Sequence, residues 1–430
     1  MRAIPVHTQA AVPLLIQQPL QLPCGLLLRN RLVKASMTER MATPDGRPSR
    51  RLVELFRRFA NGGAGLLLTG NVAVDARQLE ALGNVTFETA HDLEAYRQWA
   101  RAGGAVPIFM QLNHPGRQAM REVSQEPVAP SAVGLPNKKY FATPRAMTED
   151  DILATIANFT AAARTAERAG FAGVEIHAAH GYLLSQFLAP NVNRRTDQWG
   201  GSIHNRARLL MRIVEEVRTN VSGSFAVGVK LNAGDFVKGG LEASEAAIVM
   251  AELARRDVDF IEVSGGTFEQ PASFGRGVPA STRGREGYFL DMVQRARDVA
   301  PVPLIVTGGW RSARAMSAAI GSGACDLIGL ARPLAIEPTL PLRLLSDPDA
   351  RAMAPALTLP RGPIASLAEL LWYRDQLERL ATGKAPRSRG STTVSLLRGV
   401  LRNKWQALQR ARHLRLVAAC APSESHAGSS

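Results

Sequence analysis

Cysteine is scarce: Cys24, Cys325 and Cys420 are the only three in 430 residues and lie far apart. No Cys-x-x-Cys pair is present to build a zinc ribbon, an iron-sulfur cluster or a redox dithiol, and a reducing compartment is expected. Long apolar runs are missing too. No stretch of about 18 apolar residues occurs, and Pro5, Pro13, Gln17, Gln18 and Pro19 interrupt the N-terminal region, so neither a spanning helix nor a signal-type segment is expected. The sequence reads as a soluble, cytoplasmic protein. Acidic residues are the third shortage, and it is local. The net charge of +15, from 52 basic and 37 acidic residues, would suit nucleic acid if it were spread over a face. Nine of the excess cations fall instead at Lys384, Arg387, Arg389, Arg398, Arg402, Lys404, Arg410, Arg412 and Arg415, a stretch without one acid. No specific nucleic-acid partner is expected. The basic tail either touches an anionic surface or is a solvated or partner-packed helix, and a homo-oligomer stays open.

What is present is alternation. A chain of 430 residues with 46% apolar content can bury a large core. From about Leu26 to Leu340, short apolar runs alternate with longer segments of helical period. Strands are expected at Arg31 to Ala35, Gly65 to Thr69, Val106 to Gln111, Gly173 to His177, Ala226 to Lys230, Asp259 to Val263, Pro303 to Val306 and Leu327 to Leu330. A helix is expected over Asp150 to Arg168, where Ile152, Ile156, Phe159 and Ala163 form one stripe, Thr148 to Asp151 has capping-box form and Gly170 closes it. Further helices follow Asn205, Ala243 and Glu286. Eight such alternations imply an α/β fold of the (β/α)₈ TIM-barrel type, with catalytic residues at the C-terminal strand ends. The barrel with an N-terminal hairpin around Cys24 and Gly25 takes residues 1–345. A helical extension follows at 346–383, with an amphipathic helix over Ile364 to Leu380. A basic, partly disordered tail spans 384–430 and opens with a linker from Pro386 to Thr393.

The strand ends collect Thr38, Gln111, His177 with His180 and Tyr182, Lys230, Gly308 with Gly309, and Ala331 with Arg332. In His177-Ala-Ala-His180-Gly-Tyr182, two ring N–H groups could hold an oxyanion or carbonyl while the phenol delivers a proton. A buried structural histidine and a packing tyrosine are the bland alternative. His-x-x-His chelation ranks last because no Asp, Glu or Cys accompanies the pair locally, and no metal is expected. Thr307-Gly308-Gly309 and Gly329-Leu-Ala331-Arg332-Pro333 offer amides and a guanidinium on the two barrel loops that commonly bind phosphate. Gln111 carries one donor and one acceptor, which suits a pyrimidine edge, and is otherwise a surface polar residue at a strand end. Lys230 ends an apolar strand and needs an anionic partner, so a cofactor-facing role is expected.

These residues carry a resemblance. Gly173-Val-Glu-Ile-His177-Ala-Ala-His180-Gly-Tyr-Leu-Leu-Ser-Gln-Phe-Leu-Ala-Pro190, continued by Asn193 to Asp197 and Gly200 to Ser202, resembles the hallmark of the Old Yellow Enzyme family of FMN-dependent ene reductases. Asn30 to Thr38, Gln111 to Arg117 and Gly329 to Pro333 agree with that family, and the resemblance covers roughly Pro19 to Pro341. It implies non-covalent FMN held by Ser36, Met37, Thr38, Gln111, Lys230, Gly308, Gly309, Ala331 and Arg332. It also implies NADH or NADPH as reductant and a ping-pong cycle. By the same resemblance, Thr38 meets the flavin O4, Gln111 the N3/O2 edge and Lys230 the N1 side. His177 and His180 polarise the substrate carbonyl, hydride passes from flavin N5 to the β-carbon, and Tyr182 protonates the α-carbon. The implied partner is a small electrophilic alkene.

The departures matter. Many family members carry arginine where Lys230 stands, Ser36 replaces a common proline or alanine, and Glu39-Arg40 occupies a stretch that elsewhere lines the substrate pocket. The alkene is therefore one acceptor among alternatives: a nitro compound, a quinone or an amine cleaved oxidatively. A non-enzymatic, anionic-surface-binding protein is the alternative from another class. The loop from Asn193 to Ser202 is expected to be structural.

Overall fold

A computed structural model describes residues 14–87, 92–267, 269–270, 286–360 and 364–420. Eight parallel strands close into a barrel: β1 (Leu32–Lys34), β2 (Leu66–Leu68), β3 (Ile108–Asn113), β4 (Gly173–Ala178), β5 (Ala226–Asn232), β6 (Phe260–Ser264), β7 (Leu304–Thr307) and β8 (Leu327–Leu330). Each pairs with the next, and β8 returns to β1 through Ile328 opposite Leu32. All eight fall where the apolar runs of the sequence put them. The helices between them include α1 (Arg50–Ala60), α2 (Glu94–Arg101), α3 (Glu149–Arg168), α4 (Ile203–Asn220), α5 (Ala243–Ala254), α6 (Leu290–Ala296) and α7 (Ala313–Gly321). The capping box of α3 is present: Thr148 accepts from the Asp151 amide while the Asp151 carboxylate accepts from the Thr148 amide.

The two-residue period of a strand writes the barrel interior in layers. Val33, Leu66, Leu68, Phe109, Ala226, Phe260, Ile305 and Leu327 form an apolar floor, with Phe109 stacked on Phe260 at 5.7 Å. Gly228 serves the Phe260 ring, since a Cβ there would come within 2.1 Å of it. Two residues along the strands from Phe109 and Phe260 the interior turns polar, with Gln111 and Glu262, joined by Glu175 and Lys230. Two further along come His177 and Ser264. The expected hairpin pairs Leu20–Gln21 with Leu27–Leu28 and turns at Gly25, whose φ of +89° favours glycine. Its Leu22 and Leu28 are buried in the apolar floor, so the hairpin closes the N-terminal end of the barrel.

Beyond the barrel, α8 (Ile364–Ala381) packs on α1 and on the short helix Arg332–Ile336. The stretch expected as a linker contains a strand, Arg389–Ser391, paired in parallel with Ala356–Thr358. The basic segment then forms one long helix, α9 (Thr392–Cys420), lying along α8. Arg402 of α9 reaches the buried Asp375 of α8 at 2.6 Å. The sequence alone shows a run of cations; the buried acid that anchors one of them lies some 27 residues away. Residues 421–430, read as disordered from composition, lie outside the described residues.

Candidate active site

β4 delivers His177 at its end, and the chain then turns sharply. His180 has a φ of +59°, a left-handed conformation that costs a non-glycine residue about 1–3 kcal/mol and persists only where its surroundings fix it. They do so here: Asn232 Oδ1 accepts from the His180 amide at 3.1 Å, and Gln118 Nε2 donates to its carbonyl at 2.8 Å. Gly181 follows with a φ of +75°, and the short helix Leu183–Leu188 begins. The turn folds three rings together. His177 lies 5.2 Å from His180 and 4.9 Å from Tyr182 between centroids, both edge to face.

The ring nitrogens are set by their neighbours. His177 Nδ1 accepts from the Ala179 amide at 3.2 Å, so in the neutral ring the proton sits on Nε2. His180 Nε2 lies 3.0 Å from the Ser264 hydroxyl; when that hydroxyl donates, Nδ1 holds the His180 proton. Burial pushes both rings toward the neutral form, His177 well below the ordinary range and His180 down to about 3, with Lys230 adding to the effect in each. Burial likewise raises the Tyr182 phenol well above its usual value, and the neighbouring Glu80 raises it further. Glu80 is oriented by Asn71 at 2.6 Å and by Arg40 at 3.3 Å. All three rings therefore stand as neutral hydrogen-bond donors at neutral pH.

Beneath them lies a buried polar layer. The Gln111 carbonyl oxygen is 2.7 Å from the Ser36 hydroxyl, and its nitrogen donates to Glu175 at 2.6 Å. One N–H and one lone pair of the carboxamide stay available. Lys230 donates to Glu262 at 2.6 Å, which supplies the anionic partner the sequence demanded. Glu175 is pushed well above the carboxylate range by burial and by Glu262, whereas Glu262, despite its own burial, is held low mainly by Lys230. Glu175 thus keeps a proton and Glu262 the charge.

Ser36, Thr38, Gln111, His177, His180, Tyr182 and Lys230 line one cavity of about 70 Å³, joined by Asn71. Met37 is half-buried beside them and packs on the core. Gly308, Gly309, Ala331 and Arg332 stand apart as a half-buried rim at the ends of β7 and β8. Gly308 and Gly309 have φ of +136° and +83°, and a Cβ on Gly309 would come within 2.4 Å of the Tyr288 ring. Arg332 is met by Glu369 at 3.0 Å and lies 5.8 Å over the Tyr373 ring, so an anion arriving there would share the guanidinium. This set brings a carboxamide, three neutral ring donors and a cation to one cavity, with glycine backbone and a guanidinium at the ends of β7 and β8.

Sequence reasoning missed Asn71, Glu80, Glu175 and Glu262. Glu175 could have been found, because it sits two residues before His177 on the same face of β4; Glu80 lies on a loop with no pattern to mark it. Glu39, in the stretch whose counterpart the resemblance puts at a substrate pocket, is buried against Lys34 at 3.2 Å. The loop from Asn193 is structural as expected: Asn193 Nδ2 donates to the carbonyls of Phe187 and Trp199. Among the described residues, no group of three or more His, Cys, Asp or Glu side chains is arranged to hold a metal ion.

Residues 16–348 match the sequence profile of the NADH:flavin oxidoreductase / NADH oxidase family. The NADH-dependent flavin oxidoreductase iccE of Talaromyces variabilis is 40% identical over 363 residues, covering 78% of this chain and 87% of that protein. The NADH-dependent flavin oxidoreductase iliE of Neonectria sp. (strain DH2) is 39% identical over 79% of this chain, which spans only 48% of that longer protein. Among solved structures, morphinone reductase superposes with a TM-score of 0.67 at 27% identity, covering 79% of this chain and 91% of its own.

Proposed function

The chain belongs to the NADH:flavin oxidoreductase / NADH oxidase family, and from that premise we propose that it reduces the activated carbon-carbon double bond of α,β-unsaturated carbonyl compounds, with FMN as cofactor and NADH or NADPH as reductant. The observation that carries this reading is the trio of neutral rings, His177, His180 and Tyr182, around one cavity that Gln111 and Lys230 also line.

The residues present fit FMN. Gln111 has a donor and an acceptor to spare for the pyrimidine edge, Lys230 brings a cation to the same layer, and Ser36, Met37 and Thr38 border it. Gly308, Gly309, Ala331 and Arg332 offer amides and a guanidinium to the phosphate. Bound FMN supplies a two-electron carrier between nicotinamide and acceptor.

The remaining chemistry belongs to the side chains. Nε2–H of His177 and the free N–H of His180 hold the substrate carbonyl oxygen. As the β-carbon receives a hydride, negative charge gathers on that oxygen, and donors fixed in a buried site stabilise it without rearranging; losing one such donor typically costs about 3 kcal/mol of barrier. Neutral imidazoles suit this role because they donate without leaving a charge to be desolvated. Tyr182 hands its proton to the α-carbon, and its raised pKa keeps that proton in place across the neutral range.

Purified protein should be yellow, bleach anaerobically on addition of a nicotinamide, and regain its colour with a cyclic enone, yielding the saturated ketone. Bleached protein that is reoxidised by quinones or nitro compounds but not by any enone would overturn the alkene reading while leaving the flavin reading intact.

A further inference from the structure

α9 turns one side to α8 through Gly399, beside Leu371, and Arg402, paired with Asp375, with Thr392 and Ser395 buried on that same side, and leaves the opposite face without a partner among the described residues. On that free face Leu397, Leu401, Trp405 and Leu408 recur at helical spacing and are 65%, 67%, 55% and 71% exposed. Four large apolar side chains in a row on solvent are a marked departure for a surface helix, where apolar residues normally occur singly. Cations share the same face: Lys404, Arg412 and Arg415 are exposed and make no ion pair among the described residues. No acid lies between residues 384 and 420.

We propose that α9 is an interfacial helix that lies in the plane of an anionic lipid surface, with its leucines and Trp405 among the acyl chains and its lysine and arginines among the headgroups. The apolar stripe accounts for burial, and the long-stemmed cations interspersed on the same face select the occupant by charge. A second copy of this chain fits less well, since stripe meeting stripe would set like charges side by side with no acid on either helix. Nucleic acid fits the cations but leaves three exposed leucines without a use. The helix is not apolar enough to cross a bilayer, and no other helix among the described residues is. This inference is independent of the reaction at the barrel mouth.

The test is flotation of the full-length protein with vesicles of phosphatidylcholine alone and of phosphatidylcholine with 30 mol% phosphatidylglycerol, at about 0.1 M salt. Binding to the anionic vesicles only is expected, weakening as salt rises, with a blue shift of emission that Trp405→Phe removes. The double substitution Leu401→Glu and Leu408→Glu should abolish flotation while leaving the visible absorbance of the protein unchanged. Arg412→Gln and Arg415→Gln should each weaken partitioning about five-fold. Failure to float with either vesicle, or equal flotation of the Leu→Glu double variant, overturns the proposal. A doubled mass in light scattering that the same double variant returns to one chain, without vesicle binding, assigns the face to a second copy. Retardation of duplex DNA in place of vesicle binding assigns it to nucleic acid.

Discussion

Tyr182 keeps its proton because it is buried and because Glu80 stands beside it; both effects disfavour the phenolate. Its hydroxyl is the one group in the trio whose loss should separate the two halves of a turnover. Tyr182→Phe is expected to slow enone reduction by about 10²- to 10⁴-fold while leaving bleaching by the nicotinamide within a factor of two, as rapid-mixing absorbance would show. Equal loss in both halves would remove the proton-donor role. The histidines predict a pH effect on stability. Folding holds His180 near 3, below its ordinary 6.5, so as pH falls through 6.5 the unfolded chain takes up a proton that the folded chain refuses. Stability contributed by the neutral ring is thus complete above about pH 6.5 and drains away toward pH 3, with a slope of up to roughly 1.4 kcal/mol per pH unit. His180→Asn should flatten the denaturation midpoint over that window relative to the parent; an unchanged slope would contradict the assignment. The residue types at these positions were legible in the sequence because each stands at the end of an apolar run. Their tautomers and partners were not, since Ser264 and Asn232, which orient His180, come from other strands.

At the scale of the element, periodicity carried most of the information. Strands β1 to β8 announced themselves as short apolar runs, and α3 by its stripe and its Thr148 cap. Deleting that hydroxyl with Thr148→Ala should cost about 1 kcal/mol, read as a shift of the denaturant midpoint without change of slope. The barrel floor should be less forgiving. Phe260→Ala empties the space that Gly228 leaves for a ring and that Phe109 stacks against, and a loss of about 3–5 kcal/mol is expected. A loss under 1 kcal/mol would mean that the floor does not pack as described. The polar layer two residues above was legible only by halves. Gln111 and Lys230 stood at strand ends, whereas Glu262 lies inside a strand whose apolar neighbours concealed it, and Glu175 was marked only by its place two residues before His177. The strand Arg389–Ser391 was illegible because a three-residue pairing has no period to detect.

Over the whole molecule, the C-terminal region is part of the enzyme's body. Asp375 is 7% exposed and takes its nearest cation, Arg402, from α9. Arg402→Ala should destabilise the protein by about 1–3 kcal/mol, by leaving a buried carboxylate with the more distant Arg398 as its ion-pair partner among the described residues, and Asp375→Asn in the same chain should restore part of the loss. Thermal denaturation of the single and double variants decides it; a double variant weaker than either single would refute the pairing. Charge counting had found the cations and had no means of finding their buried acid.

A further link joins this region to the barrel mouth. The carbonyl of Arg40, which follows the strand-end segment from Ser36 to Thr38, accepts from Arg374 of α8 at 3.3 Å and from Gln406 of α9 at 3.2 Å. Arg40 in turn holds Glu80, the neighbour of the Tyr182 phenol. A ribosome therefore finishes the last barrel strand well before it releases the residue that steadies the entrance loop. Gln406 follows Leu330 by 76 residues (406 − 330), a delay of roughly 4–15 s at ordinary rates of synthesis. The nascent chain acquires its scaffold first and its finished doorway last.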